Sequence, residues 1–146
     1  MSKFAQGKFT MKNPGKYAGL KTPFARSSWE FVFMKMLDEH PGVESWASES
    51  VQIPYRDPFT GKYTIYVPDF FIVYVDKDGK KNAELVEVKP SSQTFQNKVG
   101  KSQYNQQQYV KNMAKWQAAN AWCQQQRIKF RVVNEGEIFH QGAKRR

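Results

Sequence analysis

Two strand-forming stretches joined by a tight turn constrain the fold of this chain more than any other feature. Residues 63–75 and 82–89 are rich in aromatic and β-branched side chains. The sequence Asp76-Lys77-Asp78-Gly79 between them is typical of a hairpin turn. The two stretches are therefore predicted to form neighbouring antiparallel strands.

Both predicted strands carry charged residues where a buried strand should be apolar. Because side chains alternate between the two faces of a strand, Glu87 and Lys89 share one face, and Asp69 can lie beside Glu87 on the neighbouring strand. Pro68 cannot donate a ladder hydrogen bond, so a break in strand pairing is expected next to Asp69. The hairpin thus predicts that two carboxylates and one ammonium group meet at the end away from the turn.

Two carboxylates held side by side repel each other, and a divalent cation relieves that repulsion. Oxygen ligands suit Mg²⁺, which takes one or two carboxylates together with waters and substrate phosphates, and Mn²⁺ is expected to replace it. Lys89 could hold a phosphate or activate a water for in-line attack. The combined pattern predicts a metal-dependent phosphodiesterase site, although each charged residue alone is more simply part of a solvated ion pair.

A third acid, Glu30, lies on a helix predicted to start near Trp29 and to end at His40-Pro41-Gly42. This helix is apolar around most of its circumference, so an acid on it needs a partner, and the metal site could be that partner. Ser27, three positions earlier, offers another explanation, because a glutamate at this spacing also occurs in a capping box.

The remaining predicted elements complete a single α/β domain. A strand is expected over residues 45–55, a long helix over 103–126 and a last strand over 127–134. The order of helix, three strands, helix and strand predicts a mixed β-sheet flanked by helices. The expected organisation is a basic N-terminal arm or loosely packed lead-in over 1–25, the domain over 26–140 and a basic tail over 141–146.

The net charge of +10 is unevenly distributed. Residues 1–26 hold six basic side chains and no acid, residues 27–90 hold 7 basic and 11 acidic groups, and residues 91–146 hold 10 basic and 2 acidic groups. Basic flanks favour a polyanion such as DNA, although a solubilising surface gives the same pattern. The candidate phosphate contacts, close to or on the two helices, are Arg26, Lys98, Lys101, Lys111 and Lys115.

The composition argues against several classes of protein. One cysteine, Cys123, excludes an internal disulfide, and two distant histidines make a structural zinc site improbable. No apolar run reaches the roughly 20 residues that span a bilayer. The N-terminus also lacks the apolar centre of a signal peptide, so we expect no membrane partner and a location inside a cell or particle. No RNP-type motif indicates an RNA-binding module.

Pro68-Asp69 followed by Glu87-Val88-Lys89 resembles the motif of the PD-(D/E)XK nuclease superfamily, and the helical Glu30 is similar to that superfamily's upstream acid. Further blocks resemble T7-type endonuclease I resolvases: residues 26–30, 46–49, 53–55, 66–70 and 86–89. The likeness to the head completion proteins of T4-like tailed phages runs from about Gly15 to about Ile138.

The resemblance implies a Mg²⁺-dependent DNA endonuclease with a restriction-endonuclease-like core of order αβββαβ. The metal ligands it implies are Asp69, Glu87, Glu30 and the carbonyl of Val88, and Lys89 is the catalytic lysine. It also implies a role in head completion after DNA packaging, with head, portal or neck proteins as partners. A homodimer is expected from the resolvases, and the expected location is the host cytoplasm during assembly or the virion head or neck.

One position departs from the resolvases: Pro90 stands where they have a glycine after the lysine.

The alternative function is that of a structural head or neck protein that keeps the nuclease fold and binds DNA or the portal without cutting. Such a protein is expected to lack one of the site residues. All four charged positions are filled here, which favours the enzyme.

Overall fold

Eight strands and two helices make up the part of the chain that the structure, a computed structural model, describes: residues 7–89 and 102–134. In chain order the strands are β1 (Gly7–Lys8), β2 (Phe24–Ala25), β3 (Val43–Ser48), β4 (Ile53–Arg56), β5 (Tyr63–Tyr66), β6 (Phe70–Val75), β7 (Lys81–Val88) and β8 (Lys129–Val133). The helices are α1 (Ser28–Glu39) and α2 (Gln103–Gln126), and a 3-10 turn spans Pro14–Lys16.

A four-stranded mixed sheet in the order β3-β6-β7-β8 forms the centre of the protein. The predicted hairpin is confirmed, since β6 and β7 pair antiparallel from Val75 opposite Lys81 to Phe70 opposite Val86. Its turn needs Gly79, which has a φ of 80° that other residues rarely adopt. Because β8 pairs parallel to β7 on the other side, β7 is a central strand with both backbone edges bonded.

Helix α1 covers one face of this sheet. The Ser27 side chain caps it by accepting a hydrogen bond from the Glu30 N–H at 3.1 Å. Apolar side chains of the helix then pack onto the sheet, with the ring centroid of Phe33 at 5.2 Å from that of Phe70. The buried apolar residues of the helix are Phe33, Met34 and Leu37.

Helix α2 covers the opposite face and has the bounds predicted from the sequence. Ser102 caps its start, and Arg127, in the left-handed region with a φ of 61°, ends it. Its buried apolar residues pack against Leu85 of β7; they are Trp116, Ala119 and Cys123. The two helices confirm the predicted mixed sheet flanked by helices.

Two predicted strands are each broken into two. The stretch 45–55 divides into β3 and β4 because Glu49 turns the chain with a φ of 52°. The stretch 63–75 divides into β5 and β6 at Pro68, where a break in pairing was expected. Strands β4 and β5 leave the central sheet and pair with each other, Ile53 opposite Tyr66, as a separate ribbon that packs against α2.

Residues 7–25 pack onto the domain, contrary to the expected arm or loose lead-in. Phe9 is only 5% exposed and meets the ring of Trp46 edge to face at 6.0 Å. The buried carboxylate of Asp38 accepts hydrogen bonds from the backbone N–H groups of Lys12 at 2.9 Å and Asn13 at 3.0 Å. Hydrophobic contact and backbone hydrogen bonds therefore tie this segment to α1, while the domain boundaries stay predictions.

The predicted basic tail, residues 141–146, lies outside the described residues, and so do Lys98 and Lys101. Neither helix within 7–89 and 102–134 combines the length and apolar character needed to cross a membrane.

Candidate active site

Asp69, Glu87 and Lys89 lie together at the end of β6 and β7 away from the hairpin turn. The Asp69 Oδ2 atom accepts a hydrogen bond from the Val88 N–H at 2.8 Å. The Lys89 Nζ atom lies 3.7 Å from the Glu87 Oε2 atom. The structure therefore brings together the three side chains that strand alternation predicted, and their catalytic roles stay predictions.

Burial controls the charge state of the two acids. It raises the pKa of Asp69 well above its usual range, and the nearby Glu87 charge raises it further. Burial also raises the pKa of Glu87, against the opposing effects of Lys89 and of a hydrogen bond from Tyr66. Both carboxyl groups therefore hold protons more tightly than free acids do, unless a cation compensates their charge.

The donor chemistry of this pair fits Mg²⁺. Across residues 7–89 and 102–134, no group of three or more His, Cys, Asp or Glu side chains is arranged to hold a metal ion. Asp69 and Glu87 are thus two hard oxygen donors rather than a complete protein cage. Mg²⁺ commonly binds through one or two carboxylates and keeps several waters, so two donors are enough for this ion.

Glu30 acts at the start of α1 in this structure. Its Oε1 atom accepts a hydrogen bond from the Arg26 backbone N–H at 2.8 Å, one residue before the Ser27 N–H that a capping box would use. Burial raises the pKa of Glu30, and the charge of Lys89 acts in the opposite direction. The side chain therefore lies within electrostatic reach of the site, while its predicted role as a metal ligand stays a prediction.

Sequence reasoning assigned no role to Glu49, which joins the same charged cluster. Its carboxylate forms an ion pair with the Arg26 guanidinium, and its backbone N–H donates to the Asp69 carbonyl at 2.9 Å. Glu49 thereby links the end of β3 to Asp69, which lies in the break between β5 and β6. The sequence offers no signal for this contact, because the left-handed turn at Glu49 is visible only in the structure.

Tyr66 is a second residue that sequence reasoning missed. It is 4% exposed, and its O–H donates to the Glu87 Oε1 atom at 2.9 Å. Strand alternation places residues three apart on opposite faces, which hides the approach of Tyr66 and Asp69 to the same site. The break at Pro68 between them removes that restriction.

The described candidate phosphate contacts all have acidic or aromatic neighbours. Lys111 lies 3.6 Å from an oxygen of Asp57. Lys115 is placed over the rings of Tyr55 and Tyr66, at 6.0 and 5.8 Å from their centroids. Burial lowers the pKa of Lys115, and so does the charge of Lys89. Lys115 is therefore a residue of the site's rim rather than of a remote surface.

Comparison with known proteins assigns the family. The TnsA-like endonuclease N-terminal model matches residues 40–135, a range that includes Asp69, Glu87 and Lys89. The chain therefore belongs to the TnsA-like endonuclease family, whose fold is of the PD-(D/E)XK kind. It is also 31% identical, over 148 residues, to the head completion nuclease of Enterobacteria phage T4. That alignment covers 94% of this chain and 96% of the phage T4 protein.

Proposed function

We propose that this protein is a Mg²⁺-dependent endonuclease that hydrolyses phosphodiester bonds in DNA. The observation that carries the proposal is the convergence of Asp69, Glu87 and Lys89 at one end of a central hairpin, in a chain of an endonuclease family. DNA is favoured as the substrate by the net charge of +10 and by its concentration in the two flanks.

Each residue of the site has a distinct part in the proposed reaction. Asp69 and Glu87 would hold the metal ion. A Mg²⁺ ion held there would lower the pKa of water and neutralise charge that develops on the phosphate. The Lys89 side chain is 29% exposed, so its ammonium can reach a phosphate oxygen and orient the attacking water. In the in-line step the water oxygen would form a new bond to phosphorus as the water loses a proton to solvent. The bridging P–O bond would break with its electron pair on the leaving oxygen, which then takes up a proton.

The proposed biological role is head completion after DNA packaging. It is supported by the identity of 31% with a protein named for both head completion and nuclease activity. Head, portal or neck proteins would then be partners, and the protein would act in the host cytoplasm during assembly or in the virion. A homodimer belongs to the same proposal.

Nicking of supercoiled plasmid DNA tests the activity, and β7 provides a matched pair of variants. Glu87→Gln removes an acid of the site. Glu84→Gln removes another buried acid of β7, 5% exposed and hydrogen-bonded by the Tyr74 O–H at 2.9 Å, on the opposite face of the sheet. Because general acid–base and metal-binding groups contribute about 100-fold or more, Glu87→Gln should lose at least that much activity while Glu84→Gln keeps most of it.

The same assay separates the proposal from its alternative. Asp69→Ala and Lys89→Ala should also lose activity, and EDTA should abolish nicking by the wild type. If the wild type binds DNA but never nicks it with Mg²⁺ or Mn²⁺, the non-cleaving head protein is the better description. Equal activity of Glu87→Gln and Glu84→Gln would instead place the catalytic site elsewhere.

A further inference from the structure

Each carboxylate of the site has one oxygen already engaged within the protein. The Glu87 Oε1 atom accepts the hydrogen bond from the Tyr66 O–H at 2.9 Å. The Asp69 Oδ2 atom accepts the hydrogen bond from the Val88 N–H at 2.8 Å. The Glu87 Oε2 atom lies 3.7 Å from the Lys89 ammonium, and the Asp69 backbone N–H also stabilises the ionised Glu87 carboxylate. Glu87 Oε2 would therefore exchange its contact with Lys89 for a metal, while Asp69 Oδ1 is the other oxygen that can turn to it.

Packing fixes the Tyr66 hydroxyl in place. Tyr66 is 4% exposed and belongs to the buried cluster under α2, together with Leu85 and Trp116. The Lys115 ammonium lies 5.8 Å from the centre of its ring, which adds a cation–π contact. A side chain held in this way keeps its hydroxyl directed at Glu87, and a hydrogen bond to a buried carboxylate is a strong one.

We infer that Tyr66 is a positioning residue that makes Glu87 a one-oxygen donor and so gives the site its preference for Mg²⁺ over Ca²⁺. Mg²⁺ needs near-octahedral geometry with few protein ligands, whereas Ca²⁺ takes roughly 6–8 oxygens and often binds a carboxylate through both of them. An oxygen that accepts a hydrogen bond from the protein is turned toward that donor and has one lone pair fewer for a metal, so the two-oxygen mode is disfavoured for both acids. The inference rests on the proposed metal-dependent function.

Tyr66→Phe tests the inference, because it removes the hydroxyl and keeps the ring. Tyr74→Phe is the matched control, since the Tyr74 O–H donates to the Glu84 Oε2 atom at the same distance of 2.9 Å, away from the site. Isothermal titration of the full chain with Mn²⁺ alone, the ion expected to replace Mg²⁺, and with Ca²⁺ alone gives the ratio of the two dissociation constants. Removal of a hydrogen bond that orients a ligand typically changes metal affinity about tenfold or more.

The wild type should bind Mn²⁺ more tightly than Ca²⁺. Tyr66→Phe should lower this preference by about tenfold, because Glu87 gains the two-oxygen mode. Tyr74→Phe should keep a ratio of dissociation constants close to that of the wild type. In the nicking assay, Ca²⁺ should then inhibit the Mg²⁺ reaction of Tyr66→Phe at lower concentration than that of the wild type. Thermal unfolding curves of both variants would check that each is folded.

The outcomes distinguish this inference from the proposed function. If the wild type binds Mn²⁺ and Tyr66→Phe keeps the wild-type ratio, Tyr66 serves packing alone and the inference is overturned, while the proposed function stands. If the wild type binds no Mn²⁺, or Asp69→Ala binds it equally well, the metal site is wrong and both fail.

Discussion

Asp69 and Glu87 are residues whose ionised forms oppose folding, because burial favours the protonated carboxyl group of each. Their pKa values are raised in the folded chain. The stability that a raised pKa contributes is fully present below the pKa of the unfolded chain, and it is lost as pH rises through the folded pKa. The metal-free protein should therefore lose stability above about pH 4, the region where free carboxyl groups ionise.

Asp69→Asn tests directly whether the ionised Asp69 carboxylate destabilises the metal-free fold. The asparagine Oδ1 atom can still accept the Val88 N–H, so the change removes the charge and keeps the hydrogen bond. Without metal, the variant should melt at a higher temperature than the wild type near about pH 8, and the gain should shrink near about pH 5. Melting curves in EDTA at both pH values measure it.

Asp76→Asn provides a control of opposite sign. Hydrogen bonds from backbone N–H groups, above all that of Lys80, hold the pKa of Asp76 below its usual range. Its contribution to stability is therefore present above the pKa of the unfolded chain and is lost as pH falls. Asp76→Asn should lower the melting temperature most at high pH. Parallel melting behaviour of Asp69→Asn and the wild type at every pH would mean that Asp69 carries no buried charge.

Glu30 has two candidate roles, one at the start of α1 and one at the metal site, and substitutions can separate them. Glu30→Gln keeps an oxygen for the Arg26 N–H, so the start of α1 should keep its stability to within about 0.5 kcal/mol. If the acid also serves the metal site, nicking should still fall by about tenfold or more. Ser27→Ala is the comparison: it removes the cap and should cost about 1 kcal/mol of unfolding free energy, with activity retained. Full activity of Glu30→Gln would leave Glu30 with the capping role alone.

At the scale of elements, the packing of the segment before α1 is the feature of the fold that the sequence pattern predicts least well. Phe9, in that segment, is 5% exposed among Phe31 and Trp46. Phe9→Ala should therefore cost about 3 kcal/mol or more in urea unfolding, as deletion of a buried ring does. Phe59→Ala removes a ring that is 51% exposed and should change stability by about 0.5 kcal/mol or less. Equal effects would show that the segment packs only weakly.

The elements that sequence reasoning predicted correctly are those specified by local chemistry. The hairpin follows from Asp76 and Gly79 in its turn, and α2 follows from the long helical stretch over residues 103–126. The break in pairing at Pro68 follows from its missing N–H, but the split at Glu49 and the change of partner strand at both points do not, because the residues on both sides of Glu49 and Pro68 remain strand-like. What changes at those points is the pairing partner, and pairing is decided by tertiary contacts that a linear pattern does not contain.

The residues of the candidate site divide in the same way, into those that local sequence patterns predict and those that only tertiary contacts bring to the site. Asp69, Glu87 and Lys89 were predictable because two strands in a hairpin have a period of two and a fixed register. Tyr66 was not predictable, because it lies before the break at Pro68 and reaches Glu87 from the separate ribbon of β4 and β5. Glu49 was missed for a related reason. It is itself the left-handed residue at which the chain passes from the central sheet to the ribbon of β4 and β5.

At the scale of the whole molecule, the candidate phosphate contacts that lie within residues 7–89 and 102–134 already interact with other side chains of the protein. Lys111 already faces Asp57, and Arg26 already faces Glu49. DNA binding through these residues must therefore exchange an internal ion pair for a phosphate, which lowers the net gain of each contact. The salt dependence of DNA affinity reports how many such exchanges occur, because each neutralised phosphate of duplex DNA adds about 0.9 to the slope of log K against log salt.

Lys111→Ala and Lys81→Ala are a matched pair for this measurement. Both lysines form surface ion pairs, at 3.6 Å with Asp57 and at 3.1 Å with Glu44, but Lys81 lies at the hairpin end of β7, away from the site. Measured in EDTA, Lys111→Ala should reduce the slope by about 1 and Lys81→Ala should leave it unchanged. A wild-type slope near zero between roughly 50 and 200 mM salt would show instead that the basic flanks serve solubility. DNA would then have to be held by contacts other than its phosphates.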